Sequence, residues 1–142
     1  MEAPFVDLEV IRLTKNGVWL SDGEEITHQG TLKAFARNLK KEPDGYWITL
    51  GWNRKKIEVE DTSKFVTKIE GRPPVLHLND DSKEVLNFRS LKFSPERLTC
   101  ILNSGEEAKF LPPAYLDLLK ELEQDEKGYF LKFEEDRIYL SA

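Results

Sequence analysis

The feature that most constrains this chain of 142 residues is an internal repeat. Gly23-Glu24-Glu25 recurs as Gly105-Glu106-Glu107, and Gly45-Tyr46-Trp47 recurs as Gly128-Tyr129-Phe130. Between these motifs, four positions with helical spacing are apolar or aromatic in both copies: Leu32, Phe35, Ala36 and Leu39, then Tyr115, Leu118, Leu119 and Leu122. Positions shared by both copies are expected to build the fold, whereas loops that differ are expected to carry the function.

The spacing of the repeat predicts the secondary structure. Lys56-Ile57-Glu58-Val59 is matched to Arg137-Ile138-Tyr139-Leu140, so the offset between copies runs 82, then 83, then 81 residues. Amphipathic helices are predicted over 29–41 and 112–124, and Thr27 is the expected N-cap of the first. The predicted fold class is α+β: two repeated units, each of mostly antiparallel short strands plus one helix and a C-terminal hairpin, packed together.

The boundary between the repeats is predicted at Gly71-Arg72-Pro73-Pro74, because glycine and proline interrupt regular structure. The first repeat is thus expected over residues 1–70 and the second over residues 71–142. Units of this size bury too little surface to be stable alone. We therefore expect them to pack on each other.

Composition and charge exclude several classes of protein. The formal net charge is −5, and no segment is basic enough to bind duplex nucleic acid. One cysteine and two histidines predict neither an internal disulfide nor a structural zinc site. The first residues, 1–13, are acidic and lack an apolar run, so neither a signal peptide nor a membrane segment is expected and the predicted location is cytoplasmic.

Several short motifs carry a family resemblance. Asn16-Gly17-Val18-Trp19, Asp44-Gly45-Tyr46-Trp47 and Ile57-Glu58-Val59-Glu60-Asp61 follow one another in an order that resembles a bacterial family of uncharacterised proteins, domain of unknown function 1285 (DUF1285). The resemblance extends from Leu8 to about Leu122. It implies a duplicated α+β fold whose second half is loosely similar to pleckstrin-homology-like folds. It also implies a ligand site between the halves, for a nucleotide, and a role in signalling.

The loop that differs most between the copies is the tip of the C-terminal hairpin. The first copy reads Gly51-Trp52-Asn53-Arg54-Lys55, whereas the second reads Phe133-Glu134-Glu135-Asp136. A tryptophan beside an arginine can stack on a planar ring and pair with a phosphate. The predicted ligand-binding residues therefore begin with Trp52 and Arg54. In the alternative, Trp52 packs on its own core, or the two hairpins attract each other electrostatically.

Four further residues are candidates for the same site. His28 begins the first helix, where unpaired backbone N–H groups favour anions, although a solvated polar residue is also typical there. Trp19 is large enough to line a cleft but also fits a core position. Glu58 and Asp61 are carboxylates expected at the edge of the site, and an exposed sheet face is the alternative for them.

The sequence favours a non-catalytic ligand-binding or signalling protein with its site between the two repeats and a nucleotide-like ligand. The alternative is a protein-interaction adaptor that uses edge strands and the acidic second helix, with Asp117, Glu121 and Glu123. An enzyme is a third reading, for which only Glu58 and Asp61 offer candidate groups. No catalytic residue, metal site or cofactor is identified. The expected partners are a small molecule or a protein, and neither a duplex nucleic acid nor a membrane.

Overall fold

The computed structural model describes residues 10–133 and 135–140. The chain divides into two compact units, Met1–Ser63 and Lys64–Ala142. This division lies seven residues before the predicted boundary at Gly71. The reason is that the strand Lys64–Glu70 lies between two strands of the C-terminal unit and pairs with both, so it belongs with that unit.

The N-terminal unit is one six-stranded sheet with a helix. Its elements are β1 (Ile11–Leu13), β2 (Trp19–Ser21), β3 (Glu24–Glu25), α1 (Gln29–Asn38), β4 (Leu39–Glu42), β5 (Gly45–Leu50) and β6 (Asn53–Val59). The strand order is β3-β2-β1-β6-β5-β4, and β1 pairs with β6 in parallel. Burial of Leu13, Phe35 and Ile48 shows that α1 and one face of the sheet form the core.

The C-terminal unit contains two sheets. Its elements are β7 (Lys64–Glu70), β8 (Val75–Leu78), β9 (Lys83–Val85), a 3₁₀ turn (Phe88–Ser90), β10 (Lys92–Ser94), β11 (Arg97–Ile101), β12 (Glu107–Phe110), α2 (Pro112–Leu119), β13 (Leu122–Asp125), β14 (Gly128–Phe133) and β15 (Asp136–Tyr139). The larger sheet has the order β10-β11-β12-β7-β8-β9, and β13-β14-β15 form the smaller one. Among the described residues, no helix is long and apolar enough to cross a membrane.

The structure confirms the duplicated α+β fold. In both copies three antiparallel strands precede a helix, and three antiparallel strands follow it. The register also corrects the alignment of the last strand. Thr49 pairs with Arg54 and Lys132 pairs with Arg137, so the offset stays at 83 residues through the hairpin rather than falling to 81. The last paired residues are three positions apart in each hairpin, Leu50 with Asn53 and Phe133 with Asp136, which is why the spacing does not change.

Both helices end earlier than predicted, and in the same way. α1 ends at Asn38 and α2 at Leu119, whereas Leu39 and Leu122 begin the strands β4 and β13. The apolar spacing could not reveal this, because an inward-facing leucine fits the next turn of a helix and the first residue of a strand equally well. What decides is the backbone pairing of each short strand with the strand that follows it.

Candidate functional site

A cavity of about 530 Å³ lies within the C-terminal unit. It is lined by the β7–β8 turn, the C-terminal half of α2, β14 and the 3₁₀ turn. Its apolar lining comprises Ile69, Pro73, Pro74, Phe88, Leu118 and Leu131. Its charged lining comprises Glu70, Arg72, Asp117, Lys120, Glu121 and Lys132. Small-molecule sites typically have volumes of about 300–1,000 Å³, with apolar walls and a few polar groups, so this cavity has the size and lining of such a site.

Local sequence explains how the walls are formed. Gly71 adopts a positive φ of 79°, which a glycine tolerates without strain, and it ends β7. Pro73 and Pro74 lack a backbone N–H, so the chain cannot continue the sheet ladder there and instead forms one wall of the cavity. On the opposite wall, the helix ends at Leu119, which leaves the side chain of Glu121 just beyond its last turn.

The cavity lies where the two copies differ. Leu118 occupies the helix position that Phe35 occupies in the first copy. Phe35 packs edge-to-face against Trp19, with ring centroids 5.5 Å apart. Cys100 is the counterpart of Trp19. The last residue bonded to the opposite strand is Ser21 in the first hairpin and Leu102 in the second, and Trp19 and Cys100 each lie two residues before it. Smaller side chains thus replace an aromatic pair in the core of this unit. Of the two, only Leu118 lines the cavity, and the wall formed by residues 69–74 has no counterpart in the first copy.

The carboxylates that line the cavity are all paired with basic side chains. Arg72 donates a hydrogen bond to Glu121, and Lys120 Nζ lies 3.2 Å from Asp117 Oδ1. Glu70 Oε2 lies 3.1 Å from the Nζ of Lys68, a residue that is not part of the lining.

One cation of the lining stands apart from these pairs. Lys132 has no ion-pair partner within the part of the chain that the structure describes. The hydrogen bond and charge of Lys68, together with His77, lower the pKa of Glu70, so its carboxylate is ionised at neutral pH. The lining itself carries three carboxylates and three cations, but Lys68 from outside it pairs with Glu70, so Lys132 is left as one additional cation.

Arg54, one of the sequence-predicted site residues, has an exact structural counterpart in the second copy. Its guanidinium lies 4.3 Å from the centre of the Trp47 ring and donates a hydrogen bond to Glu42. In the second copy the corresponding contacts join Arg137 to the Phe130 ring at 4.5 Å and to Asp125 at 2.6 Å. Contacts kept in both copies indicate a role in the fold. The sequence alignment did not show that Arg54 and Arg137 are equivalent, because it had matched Arg137 with Lys56.

Trp52 is the most exposed large hydrophobic residue of the described chain, with 81% of its surface accessible. It lies in the two-residue turn between β5 and β6, so it does not pack on its own core. Its counterpart at the 83-residue offset, Glu135, lies in the equivalent turn and is also exposed. The two equivalent turns therefore present different side chains to solvent, a tryptophan in the first copy and a glutamate in the second.

The other candidates occupy structural positions in the N-terminal unit. Trp19 is buried in the core, at 4% exposure, and is not among the residues that line the cavity of the C-terminal unit. His28, rather than the predicted Thr27, is the N-cap of α1: its Nδ1 accepts a hydrogen bond of 3.1 Å from the backbone N–H of Thr31. That bond satisfies one of the N–H groups that an anion would have used.

The two predicted carboxylates lie at or just beyond β6. Glu58 accepts hydrogen bonds of 3.1 and 3.0 Å from the guanidinium of Arg12, across the parallel β1–β6 pair. Asp61 is half-buried beyond the end of β6. By strand alternation Arg54 and Glu58 share the exposed face of β6. None of the six predicted residues lines the cavity, and their participation in binding stays a prediction.

Reactive groups contribute little to this site. Within the described residues, no group of three or more histidine, cysteine, aspartate or glutamate side chains could hold a metal ion. Cys100 is buried, and burial, together with the nearby charges of Glu84 and Glu107, raises the pKa of its thiol to about 12. A thiol with so high a pKa stays protonated at neutral pH and is a poor nucleophile.

The fold defines the class as a duplicated α+β protein, and two solved structures share it. A DUF1285 family protein from Silicibacter pomeroyi DSS-3 matches with a TM-score of 0.67 and 18% identity, covering 92% of this chain and 78% of that one. A DUF1285 family protein from Shewanella baltica OS155 matches with a TM-score of 0.62 and 15% identity, covering 81% of this chain and 94% of that one.

These comparisons confirm the resemblance read from the sequence. The chain has a DUF1285-like fold, and at such identities the likeness concerns the fold alone. No protein-family model and no curated protein matches the sequence.

Proposed function

We propose that this protein is a non-catalytic ligand-binding protein that holds a small molecule in the cavity of its C-terminal unit. The observation that carries this proposal is a cavity of about 530 Å³ at positions where the two copies differ. Its apolar lining, which includes Phe88, Leu118 and Leu131, suits an apolar group, and its charged lining suits a polar one.

A thermal-shift screen of the full chain tests this proposal. The library contains nucleotides, because the sequence resemblance implied a nucleotide-like ligand, and amphipathic acids, alcohols and amines. A ligand present at about 100-fold its Kd adds roughly 2.7 kcal/mol of stability, which is a readily measured shift. If no compound raises the melting temperature, the cavity is not a small-molecule site and the proposal fails.

Filling the cavity is expected to abolish binding. Leu118→Phe gives the second copy the aromatic side chain that Phe35 supplies in the first, so the ring occupies space that the ligand needs. We expect at least a tenfold loss of affinity, about 1.4 kcal/mol or more, by titration calorimetry. Ile69→Phe intrudes from the opposite wall and is expected to act in the same way.

Phe35→Leu is the matched control. It makes the reverse exchange in the N-terminal unit, so it is expected to lower stability by removing part of a buried ring while leaving ligand affinity unchanged. Circular dichroism of each variant establishes that it is folded before binding is measured. A folded Leu118→Phe variant and a folded Ile69→Phe variant that both bind like the parent would place the ligand elsewhere.

The adaptor is the second candidate, and Trp52 is the observation that favours it. Exposed tryptophans are enriched among the residues that dominate protein–protein interfaces. The acidic second helix, by contrast, does not exist as predicted. α2 ends at Leu119, so Glu121 and Glu123 lie beyond it, while Asp117 pairs with Lys120. The exposed hairpin tip is therefore the better candidate for a partner surface.

Trp52→Ala is expected to change the free energy of unfolding by less than about 0.5 kcal/mol, because the side chain is exposed. If the protein is an adaptor, Trp52→Ala is also expected to abolish the cross-linking of a partner protein to this chain. Glu135→Ala, at the matched turn, is expected to retain capture. Equal capture by the parent and both variants would remove the hairpin tip from consideration.

A further inference from the structure

We propose that the ligand of the cavity is an anionic amphiphile: a carboxylate on an apolar body, whose carboxylate replaces Glu121 as the partner of Arg72. This inference rests on the proposed function, since it concerns the same cavity. It adds the chemical class of the ligand and the residue that determines specificity for it.

Arg72 already holds a carboxylate at the cavity. It lies in the β7–β8 turn, and its partner Glu121 lies just past α2, so their ion pair joins two walls of the cavity. The planar guanidinium presents paired N–H donors that match the two oxygens of a carboxylate. The geometry that binds the side chain of Glu121 is therefore also suited to a ligand carboxylate.

The existing pair is easy to exchange. The side chain of Arg72 is 82% exposed and that of Glu121 is 50% exposed. Ion pairs between such solvated side chains contribute little to stability, because water screens the attraction and both side chains lose conformational freedom. A ligand whose apolar body is also held by the cavity gains contacts that the side chain of Glu121 cannot make, so it can compete for the guanidinium.

The charges around the cavity favour an anion over a cation. The three carboxylates of the lining have basic partners in Lys68, Arg72 and Lys120. An ammonium group would meet one of these carboxylates as a point charge, whereas Arg72 offers a ligand carboxylate two N–H donors in matching geometry. Lys132 adds a positive charge with no ion-pair partner among the described residues, although strand alternation directs its side chain to the face opposite Leu131. It therefore acts through the local potential rather than through contact.

The apolar lining accounts for the other half of the ligand. The apolar part of the lining, here called the floor, comprises Phe88, Leu118 and Leu131, which are almost fully buried, together with Ile69 and the two prolines. An alkyl chain or an aromatic ring leaves water on entering this space, which favours binding roughly in proportion to the apolar area covered. A small hydrophilic anion such as phosphate gains nothing from that floor.

The test is a series of ligands that differ only in the head group. Decanoate, decanol and decylamine are titrated into the full chain by calorimetry, below the concentrations at which they form micelles, and 4-phenylbutyrate supplies an aromatic body. We expect decanoate or 4-phenylbutyrate to bind several-fold more tightly than decanol, since a charge-assisted hydrogen bond to an exposed guanidinium distinguishes them. Which of the two acids binds more tightly distinguishes a linear body from an aromatic one.

Two variants assign the head group to its partner. Arg72→Gln is expected to remove the preference for the acid, reducing its affinity to that of decanol. Glu121→Gln releases Arg72 and is expected to strengthen binding of the acid several-fold, with no change for decanol. Arg89→Gln is the matched control, because Arg89 forms an ion pair of similar exposure with Asp136 outside the cavity lining. It should leave every affinity unchanged.

The outcomes separate the two proposals. Equal binding of decanol and the acids, tighter binding of decylamine, or weaker binding of acids by Glu121→Gln would overturn the assignment of Arg72. The ligand-binding function would still stand if Leu118→Phe abolished binding of whichever compound bound. A complete absence of binding across the whole library would instead end the ligand-binding function itself.

Discussion

Leu39→Ala is expected to lower the free energy of unfolding by about 2–5 kcal/mol. Leu39 is only 4% exposed, and it begins β4 directly opposite Ile48 of β5, which is completely buried. Removing its side chain leaves a cavity that the sheet cannot close without moving both strands. Equilibrium denaturation with urea measures the loss through the shift of the transition midpoint.

Leu122→Ala provides the matched control within the same chain. Leu122 begins β13 opposite Leu131, in the position that Leu39 holds in the first copy, but it is only half-buried. We expect a loss of roughly half that at Leu39, since less apolar surface leaves water on folding. If the two variants lost equal stability, or if Leu39→Ala lost less than about 1 kcal/mol, the burial of this leucine would not determine how much it stabilises the fold.

Lys64→Ala is expected to lower stability by about 2–4 kcal/mol, because it removes a cation bonded to a largely buried carboxylate. Lys64 Nζ lies 3.0 Å from Asp80 Oδ2, and their side chains are only 13% and 16% exposed. Lys68→Ala is the control: Lys68 pairs with Glu70 at 3.1 Å, but both side chains are 60% exposed. Its loss is expected to stay below about 1 kcal/mol.

The same ion pair predicts a dependence on pH. Burial of Asp80 opposes its ionisation, but hydrogen bonds from Ser82 and Lys64 outweigh this effect, so the pKa of Asp80 is lowered. A carboxyl group whose pKa is lower in the folded state stabilises the fold above its unfolded pKa of about 4. That stability is lost as the pH falls through the lower, folded pKa. Acid denaturation should therefore be less steep below about pH 4 in Asp80→Asn than in the parent.

The repeat was sufficient to predict the fold class but not the ends of its elements. Matched motifs such as Gly45-Tyr46-Trp47 and Gly128-Tyr129-Phe130 recur because each begins the central one of three consecutive antiparallel strands. The helix ends could not be read, because Leu39 and Leu122 continue an apolar pattern that two kinds of structure share. Backbone pairing with a later strand decided between them, and such pairing leaves no mark on local spacing.

The candidate site was harder to predict, because a cavity forms where side chains are too small to fill the space between the elements. Phe35 and Leu118 were already aligned in the sequence, and the smaller size of the leucine was the available signal. It did not stand out beside Trp52, whose chemistry is more conspicuous. The second wall, residues 69–74, has no counterpart in the first copy, so comparing the copies could not indicate what it faces.

The constant spacing between the copies makes this chain its own internal reference. From Gln29 to Lys56, the described positions have partners 83 residues later, and even the arginine–aromatic stack recurs at 4.3 and 4.5 Å. A substitution can therefore be made twice in one molecule, at the same backbone position, in two different surroundings. In the C-terminal unit that surrounding includes the cavity, while in the N-terminal unit an aromatic pair stands at the equivalent core positions. Comparing the two results separates what the shared architecture requires from what the second copy has acquired since it diverged.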